Sequence, residues 1–203
     1  MFKAKLIKKW ELSVAVALIM TIVFSFVSFN AECKEIRSDV LRLHILANSN
    51  SDKDQMLKLK VRDRILKDTE AVFNKSGSID EAVLLAKINI DAIKESALNE
   101  IKLNGYNYPV KVEIAKSYFE TRHYDDYTLP AGEYEAVRVL IGNATGKNWW
   151  CVMYPGLCLS CADDNQYNKA LNKNELDIIE NYPKYEIRFK TVEIFESLMN
   201  MIK

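Results

Sequence analysis

Val40–Leu66, VLRLHILANSNSDKDQMLKLKVRDRIL, decides how the rest of the chain is read. Leu41, Leu43 and Ile45 alternate with Arg42, His44 and Leu46, the period-2 pattern of a strand. Asn48–Ser49–Asn50–Ser51–Asp52 then concentrates side chains that bond their own backbone and compete with regular structure, so a sharp turn is expected. A helix follows. Ser51 or Asp52 can cap its first amides, and Asp52 and Asp54 place negative charge where the helix dipole favours it. Polar loops that join a strand to a helix often carry function. Asn48, Ser49, Asn50, Ser51 and Asp52 are therefore candidate partner-binding residues.

The helix places Leu57, Val61, Ile65 and Val72 on one face and Leu59 and Leu66 almost opposite, which predicts cover on two sides. Between these stripes the cations of Leu57–Arg64 fan out and read as a solvated face rather than a ligand patch. Ser76–Gly77 interrupts the pattern, and Ser78 with Glu81 forms a capping box. Ile79, Val83, Ala86, Ile90, Ile93, Ala97 and Ile101 then predict one long helix, closed by Asn104–Gly105. Two long helices with a short link form an antiparallel hairpin whose apolar stripes need a sheet to cover.

The second half supplies strands at Pro109–Ala115, with Tyr118–Arg122 extending it or starting another, and at Tyr134–Ile141 and Asn148–Tyr154. Leu129–Gly132 is a turn, and the short link Gly142–Gly146 predicts that the last two strands pair as a hairpin. Beyond a polar stretch from Ala162, Asn174–Ile179 reads as a helical turn and Tyr185–Phe189 as a short strand. Val192, Phe195, Leu198, Met199 and Ile202 mark a final amphipathic helix. The predicted fold class is α+β: a mostly antiparallel sheet packed against a long helical hairpin and a C-terminal helix, preceded by an N-terminal membrane segment.

That segment carries Lys3, Lys5, Lys8 and Lys9 before an uncharged apolar run from Leu12 to Phe29. The positive flank predicts a cytoplasmic N-terminus with the rest of the chain across the membrane. Residues 1–31 read as a cleaved signal peptide or an uncleaved anchor, since the run is longer than most signal cores and barely long enough to span. The bulky, charged residues before Cys33 fit a lipidated terminus badly. Residues 32–39 read as a tether and 40–203 as one exported domain.

The 203 residues hold 28 basic and 28 acidic side chains with no basic block, so a nucleic acid partner is not expected. No cofactor is expected either. Gly142–Asn148 is one residue short of a phosphate loop and has Asn148 where the magnesium-binding hydroxyl belongs. His44 and His123 lie far apart with no second ligand at metal spacing, so no metal is expected. Outside the cytoplasm disulfides persist, and a Cys151–Cys158 bond is expected, with Cys158–Cys161 the alternative. Trp149 and Trp150 alternate, one toward the core and one outward. Trp149, Trp150, Tyr154, Pro155 and Leu157 thus form a second candidate partner-binding loop. Catalytic residues are not expected. The alternatives kept open are an extracytoplasmic enzyme using Cys151 or Ser49, the latter drawn with His44 and Asp63 as a triad, and a wall or small-ligand binding module.

Two blocks carry a resemblance. Arg42–Asp63, through LHILANSNSD, and Leu129–Pro155, through LPAGEY and GKNWWCV, with Cys158 beyond, are similar to the stage II sporulation protein R family. Gly156 stands where that family's pattern has a second proline. The resemblance implies a signalling protein made in the forespore and exported to the space between the forespore and mother-cell membranes. There its partner would be a membrane-embedded aspartic protease of the mother cell, which processes the precursor of the mother-cell sigma factor.

Overall fold

The computed structural model describes residues 9–124, 127–155 and 170–202. Strand β1 (Leu41–Leu46) is the axis of the molecule. It lies inside a four-stranded sheet, between β5 (Gly132–Ile141) and β6 (Asn148–Tyr154), with β2 (Val110–Phe119) outside β5. β1 runs parallel to β5, pairing Leu43 with Val137, and antiparallel to β6, pairing Leu43 with Cys151. β2 and β5 are antiparallel over their whole length. The sheet is thus mixed but mostly antiparallel, in an α+β chain. A small ribbon of β3 (Arg122–His123) and β4 (Thr128–Leu129) sits between β2 and β5 in sequence.

The alternation in β1 explains its central position, because both of its faces are covered. Leu41, Leu43 and Ile45 join Val137, Val139, Cys151 and Met153 in one core, while Arg42 points to the other side. The first core is roofed by α2 (Asp52–Phe73), α3 (Ile79–Ile88) and α4 (Ile90–Leu103), through Leu57, Val61, Ile65, Ala82, Ala86, Ile93, Ala97 and Ile101. The second core lies on the other face, where Phe119, Tyr134, Ala136 and Val152 meet α1 (Lys9–Ser38), α5 (Lys173–Glu180) and α6 (Tyr182–Ile202).

Three local expectations are corrected. The predicted β5–β6 hairpin does not form, because β1 occupies the edge of each strand that a hairpin would pair. The predicted single helix over Ile79–Ile101 breaks at Asn89, which ends α3 and starts α4 with φ −99° and ψ 15°. Its amide side chain donates to Leu85 O at 2.8 Å, a local bond that competes with continuing the helix. Tyr185–Phe189 is helical, not a strand. Tyr185, Phe189 and Val192 recur at helical spacing and face α1, whereas Ile187 between them is 81% exposed.

Helix α1 is long and apolar enough to cross a membrane over Trp10–Ser38. Its first part is exposed from Leu12 to Val27, but Phe29, Cys33 and Ile36 are buried in the second core. Phe29 stacks on Tyr185 at 5.6 Å and meets Phe189 edge-on at 5.5 Å. Arg37 donates to Ala131 O at 2.9 Å and pairs with Glu196 at 3.0 Å. Residues 32–38, expected as a tether, are therefore helical and packed.

Candidate functional site

At the end of β1 away from α1, the turn that leads into α2 is bound to the loop that carries the chain from β5 to β6. Because that loop must pass over the end of β1, its amides meet the turn's acceptors. Asn143 N–H donates to Asn48 Oδ1 at 3.0 Å, Gly146 N–H to Ala47 O at 2.9 Å and Lys147 N–H to Asn50 Oδ1 at 2.8 Å. The Thr145 hydroxyl donates to Asn48 O at 2.9 Å. A loop whose amides are committed in this way has none of the convergent free donors of a phosphate cradle.

The turn is organised inward by Asp54. This buried carboxylate accepts from the Ser49 hydroxyl at 2.6 Å and from Asn48 Nδ2 at 2.9 Å, while Ser51 caps its amide at 3.3 Å. Burial raises the Asp54 pKa, but hydrogen bonds from Ser49, Asn48, Tyr108 and Ser51 outweigh that and hold it below the ordinary carboxylate value. Gln55 Nε2 donates to Ser49 O at 2.8 Å, and Lys58 Nζ donates to Gln55 Oε1, Lys147 O and Asn148 O at 2.7, 3.0 and 3.3 Å. The result is a rigid polar tip whose exposed residues are Asn50, Ser51, Asp52, Asn143, Thr145, Lys147 and Asn148.

This corrects the reading of the cationic run in α2 as a solvated face for two of its four cations, while Lys60 and Arg64 do face solvent. Lys58 is buried and ties the helix to the loop, and Arg62 lies 4.3 Å over the Trp149 ring. Asp54 and Lys58 were the residues that sequence reasoning missed. Asp54 read only as a dipole charge, and Lys58 as one of several similar cations. The signal that distinguishes them is position: both lie on the α2 face turned toward the loop.

The second candidate loop is less open than expected. Trp149 and Trp150 are both half-buried on opposite faces of β6, and each lies under an arginine, with Arg122 3.7 Å over Trp150. Tyr154 and Pro155 are buried. Leu157, Cys158, Cys161 and most of the polar stretch that follows lie outside the described residues. Cys151 is disulfide-bonded and Cys33 is free.

The residues drawn as a triad are not brought together. His44 Nε2 meets Asn148 Oδ1 at 2.9 Å, Ser49 donates to Asp54, and Asp63 is bound by Arg62. Below the tip, Arg42 is fully buried among aromatic rings, 4.2 Å over Phe119 and 5.0 Å over Tyr134. It donates through Nε to Cys151 O at 3.3 Å and through Nη2 to the Tyr124 hydroxyl at 2.5 Å. Among the described residues no group of His, Cys, Asp and Glu could hold a metal ion.

These features define an α+β domain built onto a helix that is long and apolar enough to cross a membrane, with a rigid polar tip at its far end. The chain belongs to the stage II sporulation protein R family, whose model matches residues 37–164. It is 40% identical over 123 residues to stage II sporulation protein R of Bacillus subtilis (strain 168), a match that covers 61% of this chain and 55% of that protein. No solved structure matches the chain. The matched residues include both blocks of the tip, so the structure is that of a sporulation protein in which the two most recognisable stretches of sequence touch.

Proposed function

We propose that this protein is an exported signalling ligand that activates a membrane-embedded aspartic protease of the mother cell and so triggers processing of the mother-cell sigma-factor precursor. Membership of the stage II sporulation protein R family is the observation that carries this reading. The tip is the surface offered to the protease. Its exposed side chains are polar, and the bonds beneath them fix its shape, so little conformational freedom is lost on binding. Activation then works by population shift: the tip binds the protease-active arrangement more tightly than the inactive one.

The chemistry at the alternative nucleophiles also favours binding over catalysis. The Ser49 proton is given to a carboxylate of lowered pKa, which makes Asp54 a weak base. Cys151, in its disulfide, has no thiolate to attack with. Co-expression of the exported chain with the protease and the sigma precursor in a non-sporulating host tests the proposal. Precursor cleavage is the expected result. Absence of cleavage with correctly exported, folded protein overturns it. Graded loss in tip variants such as Asn50→Ala and Asp52→Ala, rather than abolition at one residue, marks an interface.

A further inference from the structure

Helix α6 packs one face on the second core and leaves the other uncovered. Phe189 and Val192 are buried, while Ile187, Ile194, Leu198 and Met201 are 81%, 61%, 50% and 75% exposed along one stripe, widened by Phe195, Met199 and Ile202. The spacing of these residues puts them on one side of a helix. Exposed apolar surface of this extent on one helix needs a partner.

The position of the stripe indicates which partner. Phe195 meets Phe26 of α1 edge-on at 5.7 Å, and its neighbour Glu196 pairs with Arg37 near the other end of α1's packed segment. Phe189 meets Phe29. Helix α6 therefore crosses α1 at the level where the exposed apolar run of α1 gives way to its buried part. The stripe is continuous, through Phe26 and Phe195, with the surface of α1 from Leu12 to Val27. Its borders carry both signs: by helical spacing Lys184, Arg188 and Lys190 flank the apolar arc together with the exposed Glu186, Lys184 and Lys190 pair with Asp177 and Glu193 at 2.9 and 3.3 Å, and Glu196 is turned inward to Arg37. An exposed apolar arc edged by long charged side chains, continuous with an apolar helix, is what a helix lying in a bilayer interface presents to lipid.

We propose that the exposed face of α6 is a membrane-interface surface, seated on the leaflet from which α1 emerges, and that it holds the domain in a fixed orientation with the tip pointing away from the bilayer. This rests on α1 being membrane-embedded. The orientation would present the tip to a receptor in the facing membrane instead of leaving it to swing on a tether.

The full chain, reconstituted in vesicles of phosphatidylethanolamine and phosphatidylglycerol, is treated with a carbene-generating photolabel dissolved in the bilayer, and the labelled peptides are mapped. Label is expected in α1 and in the α6 segment around Ile194–Ile202, and not in α2 or α4. The double variant Leu198→Glu, Met201→Glu should reduce α6 labelling to the level of α2 without moving the melting temperature. Label in α1 with none in α6 overturns the inference and leaves the membrane reading of α1 intact. Label in neither shows that α1 is not inserted and overturns the inference together with the membrane reading it rests on. An unlabelled α6 together with a dimer that the double variant dissociates assigns the stripe to a second copy of the chain, which also overturns it.

Discussion

The Ser49 hydroxyl donates to the Asp54 carboxylate at 2.6 Å, and through that bond the β1–α2 turn is fixed to the helix it starts. Asp54→Ala removes the acceptor and leaves Ser49, Asn48 and Tyr108 with donors to re-satisfy. A loss of roughly 1–3 kcal/mol in urea unfolding is expected. The Asp54 pKa is lower in the folded protein than its ordinary 3.8, so its contribution is complete above that value and disappears as pH falls below it. The variant should therefore show a flatter acid limb than the parent. Equal acid limbs would show that Asp54 does not hold the turn.

Gly146 is expected to be intolerant of any side chain. A Cβ built there would lie 2.2 Å from Ser49 O and 2.9 Å from the Ala47 methyl, and backbone cannot swing aside as a side-chain end can. Gly146→Ala should cost about 1–3 kcal/mol by forcing the loop off the turn. Gly105→Ala is the control. Its φ of +80° is unfavourable for alanine, yet nothing lies within 4 Å, so only the backbone term of roughly 1 kcal/mol applies. A melting temperature for Gly146→Ala no lower than that of Gly105→Ala would show that the turn–loop contact is not rigid.

Helices, strands and the core face of β1 were legible in the sequence because Leu41, Leu43 and Ile45 obey a local period. The position of β1 between β5 and β6 was not, because nothing in Gly142–Gly146 distinguishes a hairpin turn from a loop crossing a strand end. The distinction lies in the long-range bonds of Asn48 and Ala47. The geometry of the tip was legible by half: Asn48–Asp52 read as a sharp turn, while Asp54 and Lys58 acquire their contacts only when the loop arrives. The strand reading of Tyr185–Phe189 failed for a related reason. Short aromatic runs satisfy both periods, and the choice fell to Phe29, far away in sequence.

Arg42 should not accept lysine. The guanidinium reaches Cys151 O and the Tyr124 hydroxyl at once while covering Phe119, a planar arrangement that an ammonium cannot reproduce. Arg42→Lys is expected to lower stability by about 1–2 kcal/mol. Arg42→Met fills similar volume without a buried charge and should be the less damaging of the two. Chemical unfolding of the pair decides this, and greater loss in the methionine variant would show that the charge itself is stabilising.

His44 makes stability sensitive to mild acid. Burial lowers its pKa below the ordinary 6.5, and Arg138 and Arg42 push the same way, against the hydrogen bond with Asn148. Since Asn148 Oδ1 can only accept, Nε2 carries the proton of the neutral ring, and the buried Nδ1 has no partner for a second one. The folded state thus binds fewer protons than the unfolded state. Stability from this residue is complete above 6.5 and is lost as pH falls toward the folded-state value. His44→Gln should flatten that part of the melting curve against pH, and an unchanged slope would assign it to other groups.

Phe29 tests whether the long apolar helix α1 is part of the domain. Its ring is buried between Tyr185 and Phe189, so Phe29→Ala should open a cavity and cost about 3–5 kcal/mol. Phe24 lies on the same helix but is 67% exposed, and Phe24→Ala should stay within about 0.5 kcal/mol. Both variants are measured as full chains in detergent, by thermal unfolding and by protease resistance of the α5–α6 segment. Equal behaviour would mean that α1 merely carries the domain. The expected difference has a consequence for any removal of the N-terminal segment: a cut just before Phe29 loses only the half-buried Phe26 from the second core, whereas a cut after Cys33 also removes two fully buried side chains, Phe29 and Cys33, and should loosen α6 from the sheet.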